Sequence, residues 1–419
     1  MRSKDIVGIL PPLLSTALYA VGSGLYTTLL PLRLKELGYS DSLNGLIAVC
    51  VSGGFLLGCL VAARLIRAVG HVRAYAAAAA AIAATILAVD SSPPLVLLGA
   101  LQIARGMGAA TLSMVIESWL NEAVERRFRG QLLTVYMIAL ALFWAVGQSL
   151  GIGLEPGSSR MLILSAGFIT LALIPVTAVQ VSSPTSPRSV RFDPLAALRV
   201  SPTGMLSCLF TGLVSATFIY IGPLYGTARG WGQTDIILLM MTTQAGGLAL
   251  QWPLGYLSDN FGRNRVLAAM AAAVVLVAAT ILALGAPAPL PALAVLFALF
   301  GGLAESFYPI GVAYANDRAD ADEYVALSSN LLFVWSLGSM IGPAAVTAAL
   351  QTMGPASFFW YVLILAAALC LFITVRSLGR WRRRAVRDQE FQPLPPTTSA
   401  VFEWMPPPGE AKLDPEEKA

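Results

Sequence analysis

Residues 223–265 read PLYGTARGWGQTDIILLMMTTQAGGLALQWPLGYLSDNFGRNR. They keep register, without a gap, with residues 31–73, PLRLKELGYSDSLNGLIAVCVSGGFLLGCLVAARLIRAVGHVR. Pro31 meets Pro223, Leu32 meets Leu224, Gly38 meets Gly230 and Leu46 meets Leu238. Farther on, Gly54 meets Gly246, Leu56 meets Leu248, Leu65 meets Leu257, Gly70 meets Gly262 and Arg73 meets Arg265. Shared Leu is cheap in an apolar chain; Gly, Pro and Arg in register are not. The chain is an internal duplication, and the duplicated unit contains one long apolar segment with the turns on either side of it.

The composition says what solvent surrounds such segments. Of 419 residues, 57% are hydrophobic and only 12% charged, against about 25% charged in soluble domains. A chain this apolar cannot hide its surface from water, so lipid is its solvent. Apolar runs recur near the ~20 residues that cross a ~30 Å hydrocarbon core. Twelve can be drawn, at roughly 9–31, 43–65, 74–90, 95–119, 131–153, 160–181, 204–225, 235–257, 265–285, 291–314, 325–350 and 355–376. The expected fold is an all-α membrane protein, with twelve transmembrane helices in two parallel six-helix pseudo-repeats. Residues 1–181 form the N-terminal half and 204–378 the C-terminal half. Between them, 182–203 is a Ser-, Pro- and Arg-rich linker on the cytoplasmic side. The tail, 379–419, has Pro runs and an acidic end, the composition of a disordered segment.

Lys and Arg fix the orientation. Arg2, Lys4, Arg64, Arg67, Arg73, Arg126, Arg127, Arg129, Arg188, Arg191, Arg199, Arg263, Arg265, Arg318 and the basic tail from Arg376 fall on one side. Only Arg33, Lys35, Arg160 and Arg229 fall on the other. Both termini are therefore expected in the cytoplasm. Met1–Asp5 is short and basic and leads into a first membrane helix without a small-residue cleavage site.

Several function classes are disfavoured. The net charge of +4 is too small to suggest nucleic acid. Cys50, Cys59, Cys208 and Cys370 all sit in apolar segments and read as packing residues. With the single His71 and no Cys/His cluster, neither a metal site nor a cofactor is expected. No GxxxxGK[ST] phosphate loop occurs, so ATP does not drive the protein directly. No catalytic cluster is present, and no enzymatic activity is expected. Two parallel six-helix halves joined by a polar linker form the architecture of a carrier, with a site near mid-depth between the halves.

The eighth segment ends in Gly255-Tyr-Leu-Ser-Asp259-Asn-Phe-Gly262-Arg263-Asn-Arg265. This resembles GxxxDxxGRxR, the signature loop of the major facilitator superfamily. Gly255 permits close helix approach, Gly262 makes the tight turn, and Asp259 can pair with Arg263 or Arg265 as a conformational latch. The first-half copy differs. Ala63 replaces the first Gly, Arg67 the Asp and His71 the first Arg, while Gly70 and Arg73 remain. Glu117, Glu122 and Glu125 are candidates to answer Arg67 or Arg73. Two further stretches are similar to the YcaD-like branch of bacterial facilitators. One is Glu117-Ser-Trp-Leu-Asn121 with Arg129-Gly-Gln-Leu-Leu133, Tyr136-Met137 and Gly147-Gln148. The other is Phe307-Tyr-Pro309 with Gly338-Ser-Met-Ile-Gly-Pro343. The resemblances together span most of 10–376 and imply a bacterial inner-membrane location. In the superfamily's RxxxG pattern of the fourth segment, Gln102 holds the Arg position before Gly106, and Arg105 lies three residues on.

Three charges fall inside the segments: Arg105, Glu117 and Glu305. Each costs at least ~2.5–3.5 kcal/mol to insert, so each needs a partner or a wet cavity. Arg105 and Glu117 are about 18 Å apart along one helix and cannot pair. Arg105 reads as a substrate-anion or coupling site, or as a structural pair with helix carbonyls. Glu305, beside Gly301 and Gly302, reads as a proton carrier or as a polar tie across the halves with Arg105. Glu117 reads as a gate element. Tyr19, Ser23, Tyr26 and Thr27 share one face of the first segment, with Thr211, Ser215, Phe218 and Tyr220 as their second-half analogues. Gln148, Gln244, Gln251, Asn330 and Trp335 complete the candidate cavity lining; helix–helix packing is the alternative for each. The reading is a monomeric, proton-coupled or gradient-driven carrier of a small organic solute in the lipid bilayer. A non-transporting receptor or assembly factor on the same scaffold is the alternative.

Overall fold

In lipid, only a helix or a closed barrel satisfies every backbone polar group internally, and the described residues take the helical solution. The computed structural model describes residues 3–40, 42–123, 129–155, 158–178, 193–284, 289–319, 324–354 and 356–380. Twelve long helices lie among the described residues. The first half holds α1 (Ser3–Glu36), α2 (Ser42–Val69), α3 (His71–Ala88), α4 (Leu95–Ala123), α5 (Arg129–Leu150) and α6 (Arg160–Thr177). The second holds α7 (Pro202–Ala228), α8 (Gln233–Phe261), α9 (Arg263–Leu284), α10 (Leu290–Asn316), α11 (Tyr324–Met353) and α12 (Ser357–Arg380). Ten of them are long and apolar enough to cross a membrane. The other two are α5, whose apolar part Thr134–Leu150 is shorter, and α8, whose length carries Thr242, Thr243, Gln244 and Gln251.

The duplication seen in sequence is a duplication of packing. A Cβ added at Gly54 would stand 2.1 Å from the carbonyl oxygen of Ile103, and one at Gly106 would stand 2.1 Å from that of Val51. In the second half, a Cβ added at Gly246 would stand 1.8 Å from the carbonyl oxygen of Ala298, and one at Gly301 would stand 2.0 Å from that of Thr243. So α2 packs on α4, and α8 on α10, backbone to backbone through the same reciprocal pair of glycines. The spacing that relates α2 to α8 grows by three residues between α4 and α10. Both halves also turn identically before their third helix: Gly70 has φ +85° and Gly262 φ +87°, backbone that residues with a Cβ rarely adopt.

Gly70, Gly262 and the linker mark one face of the bundle, here the loop face. The halves touch between mid-depth and the opposite face. Gln233 Nε2 donates to the carbonyls of Gly151 at 2.8 Å and Leu154 at 2.7 Å. Gly45 abuts Thr347, and the Ser52 hydroxyl donates to the Ser339 carbonyl at 3.2 Å. Toward the loop face, Leu60 and Val61 on α2, Val135 and Ile138 on α5, and Tyr256 and Leu257 on α8 are exposed.

The linker composition does not exclude local order. Pro194–Val200 is a short helix, whose Ala197 is buried with Leu327 and Leu331 of α11. Residues 179–192 and the tail 381–419 lie outside the described residues, as do Arg126, Arg127 and Glu125.

Candidate functional site

Between the halves lies a cavity of about 290 Å³. Phe55 of α2, Trp144 of α5, Ile219 and Tyr220 of α7, Gln244 of α8, Glu305 of α10 and Trp335 of α11 line it. Its wall is aromatic and aliphatic with few polar groups, the usual chemistry of a small-molecule site. Phe55 and Trp335 meet edge to face across the halves, with ring centroids 6.3 Å apart.

The first polar focus belongs to α1, α4 and α7. Arg105 is buried, and its Nε donates to Gln102 Oε1 at 3.0 Å. Gln102 in turn donates to the Tyr26 hydroxyl at 3.1 Å. The guanidinium stands 5.1 Å from the Tyr26 ring centroid, and one of its terminal nitrogens donates to the Tyr220 hydroxyl at 3.4 Å. Tyr19 stands near the same group, beside Ser23. Five candidate residues thus form one constellation, and Tyr220 connects it to the cavity.

The second half fills the equivalent positions differently. The reciprocal glycines of α4 and α10 map Gln102 and Arg105 onto Phe297 and Phe300, and Phe218 of α7 packs against both. These three rings pack edge to face, with Phe218 5.8 Å from Phe297 and 5.6 Å from Phe300. One half carries a cation in a polar cage where the other carries an aromatic plug.

The second polar focus is Glu305. It does not pair with Arg105, whose side-chain partners are Gln102 and Tyr220. Its carboxyl neighbours the Ser215 hydroxyl, and Gly247 stands against its stem. Ser215 sits in a π-helical turn, Gly212–Ala216, inside α7, a local widening that recurs at functional sites. Glu305, Ser215, Gln244 and Gln148 also line a recess of about 20 Å³, which has room for about one water. Gln148 Oε1 is buried there with no hydrogen-bond partner among the described residues.

The loop-face latch is built around Arg263. Its guanidinium lies 2.9 Å from Asp259 and 2.6 Å from Asp317, the carboxylate that follows α10. Arg265, the other partner expected for Asp259, is exposed instead. Asp317 escaped the sequence reading, although the three-residue growth in spacing maps it onto Glu122, an expected first-half acid. Gly255 is buried within α8. In the first half, His71 is buried at the place of Arg263, whereas Arg67 and Arg73 are exposed. Glu117 is fully buried in α4, close to Cys59. Asn330 is not cavity lining: its Oδ1 accepts from the backbone N–H of Asp193 at 3.1 Å and ties the linker to α11. Thr211 likewise serves packing, donating to the carbonyls of Ser207 and Ala304.

Comparison with known proteins agrees with this geometry. The family model for the Major Facilitator Superfamily matches residues 13–287 and again 204–407. An uncharacterized MFS-type transporter of Enterobacter sp. (strain 638) is 26% identical over 84% of this chain and 91% of its own length. One from Yersinia pestis (strain Pestoides F) is 28% identical over 80% and 86%. The YcaD transporter of Salmonella dublin, also uncharacterized, is 26% identical over 84% and 91%. Among solved structures, the nucleoside transporter NupG superposes with a TM-score of 0.72 at 12% identity, covering 91% of this chain and all of its own. A D-xylose-proton symporter gives 0.68 at 15% identity, over 88% and 97%. A duplicated helical bundle around a central cavity, matched by that family model over most of its length, makes this chain a multi-pass membrane transporter of the Major Facilitator Superfamily.

Proposed function

We propose that the chain is a secondary active, proton-coupled carrier that moves a small organic solute by alternating access. It works as a monomer in a bacterial inner membrane with both termini in the cytoplasm. The observation that carries this reading is the central cavity, where one carboxylate, Glu305, stands among apolar walls at the junction of the halves. A lone intramembrane carboxylate is the usual element of a proton relay. In this reading Glu305 takes and gives the proton, with Ser215 and the water-sized recess beside Gln148 and Gln244 as its path. The Tyr19, Tyr26, Gln102, Arg105 and Tyr220 constellation and Trp335 hold the solute.

The latch supplies the gate. Arg263 bound to Asp259 and Asp317 ties α8, α9 and the end of α10 together at the loop face, which the one-sided Lys and Arg distribution makes cytoplasmic. The contacts of Gln233 with Gly151 and Leu154, and of Gly45 with Thr347, join the halves at the opposite face, which supports reading the present arrangement as the inward-open member of the cycle. Rocking of the two halves exchanges it for an outward-open one, as parallel repeats permit.

The test is reconstitution with a pH-sensitive dye trapped in the lumen. A metabolite and drug panel is added outside, without an imposed gradient. The expected result is that at least one solute drives a change in luminal pH that protein-free liposomes lack. Solute entry with no proton movement removes the coupling from the account.

A further inference from the structure

Two other buried guanidinium groups among the described residues are matched by carboxylates. Arg33 lies 2.7 Å from Asp90, and Arg263 is gripped by Asp259 and Asp317. Arg105 breaks the pattern. It is 6% exposed, and among the described residues no carboxylate comes within ion-pair distance of it. Its partners are a neutral amide, a neutral phenol and the face of an aromatic ring. A desolvated cation with only dipoles around it is costly, and an anion at that point recovers much of the cost.

The fold does not need the cation. At the second-half equivalents of Gln102 and Arg105, Phe297 and Phe300 pack with Phe218 as an apolar cluster. Apolar packing is therefore a workable solution for this helix crossing, and the first half departs from it. The position of Tyr220 points the same way. Its hydroxyl makes the longest of the three bonds in the Arg105 cage, at 3.4 Å from a terminal guanidinium nitrogen. It is also the one of these side chains that lines the cavity. A neutral phenol at that range is a weak placeholder, and a carboxylate entering from the cavity displaces it with a charge-assisted bond.

We infer that the transported solute is a small amphipathic organic anion, its carboxylate held by Arg105 where the Tyr220 hydroxyl now rests and its apolar body among Phe55, Trp144 and Trp335. The word transported rests on the carrier reading above; the charge of the ligand rests on Arg105 alone. Glu305 does not reverse the choice, because a cationic ligand drawn to it would bring a second positive charge into the cavity that adjoins Arg105.

The experiment uses the purified full chain in lipid nanodiscs and isothermal titration with benzoate, phenylacetate and hydrocinnamate, each alongside its amide and its amine. The expected result is at least one carboxylate bound about tenfold or more tighter than its own amide and amine. In Arg105→Gln that preference disappears, and in Arg105→Lys, which keeps the charge, it persists in weakened form. An amide or amine that binds as well as its carboxylate, or no carboxylate binding at all, overturns the inference. The wild-type comparison decides this even if Arg105→Gln fails to fold. A parallel uptake assay in proteoliposomes separates the two readings. An amine that binds and is carried overturns the anion while leaving the carrier. A carboxylate that binds through Arg105 but never crosses the membrane overturns the carrier while leaving the anion site.

Discussion

In proteoliposomes under an imposed proton gradient, Glu305→Gln accumulates no solute above the level of protein-free liposomes, yet still exchanges internal for external solute. The substitution keeps the shape of the side chain and its place beside Ser215, but the amide cannot release a proton. Exchange needs only the solute-bound carrier to rock, whereas uphill movement needs a site that loads a proton on one side and unloads it on the other. The predicted loss is therefore complete for accumulation and small for exchange. Accumulation at the wild-type rate in this variant removes Glu305 from the proton path.

Gly246→Leu is expected to leave little folded protein. A Cβ at that position would stand 1.8 Å from the Ala298 carbonyl oxygen and 2.5 Å from its carbon. The obstacle is helix backbone, which cannot rotate aside as a side chain can, so α8 and α10 must separate along their whole contact. We expect a cost above the ~1–3 kcal/mol typical of overpacked cores. It should appear as aggregation during size-exclusion chromatography or as a strongly lowered melting temperature. Gly167→Leu on α6 is the control. A Cβ there meets nothing within 4 Å, and this variant should purify like the wild type. Equal behaviour of the two would mean that α8 and α10 do not pack as described.

The reach of sequence reasoning differs between these two features. Gly54 and Gly246 stood out because a reciprocal backbone contact tolerates no other residue, so duplication preserved them in register. Tyr19, Tyr26, Gln102 and Arg105 could be grouped because helical spacing places each set on one face, and Tyr220 follows from the repeat. The partners of those residues were less legible. Pairing of Arg105 with Glu305 looked reasonable from depth alone, but depth along a helix says nothing about which way it faces. Asn330 reads as cavity lining from sequence because nothing in its own segment shows that the linker returns to donate a backbone N–H to it. The π-helical turn at Gly212–Ala216 carries no residue pattern that would separate it from ordinary helix. Asp317 lay beyond the apolar segment, where acids are common, and only the shifted spacing between α4 and α10 singles it out.

The most direct measurement is a pair of spin-label distances across the two faces of the bundle, with the native cysteines replaced. Labels at Val135 and Tyr256, both exposed on the loop-face parts of α5 and α8, report on one face. Labels at Leu46 and Met353, exposed at the far ends of α2 and α11, report on the other. A rocking, proton-coupled carrier shows two populations that change in opposite senses when the proton concentration changes: as the loop-face distance shortens, the far-face distance lengthens. Glu305→Gln should abolish the response. Two single distances that stay fixed at every proton concentration, in the wild type as in the variant, would contradict a rocking, proton-coupled carrier.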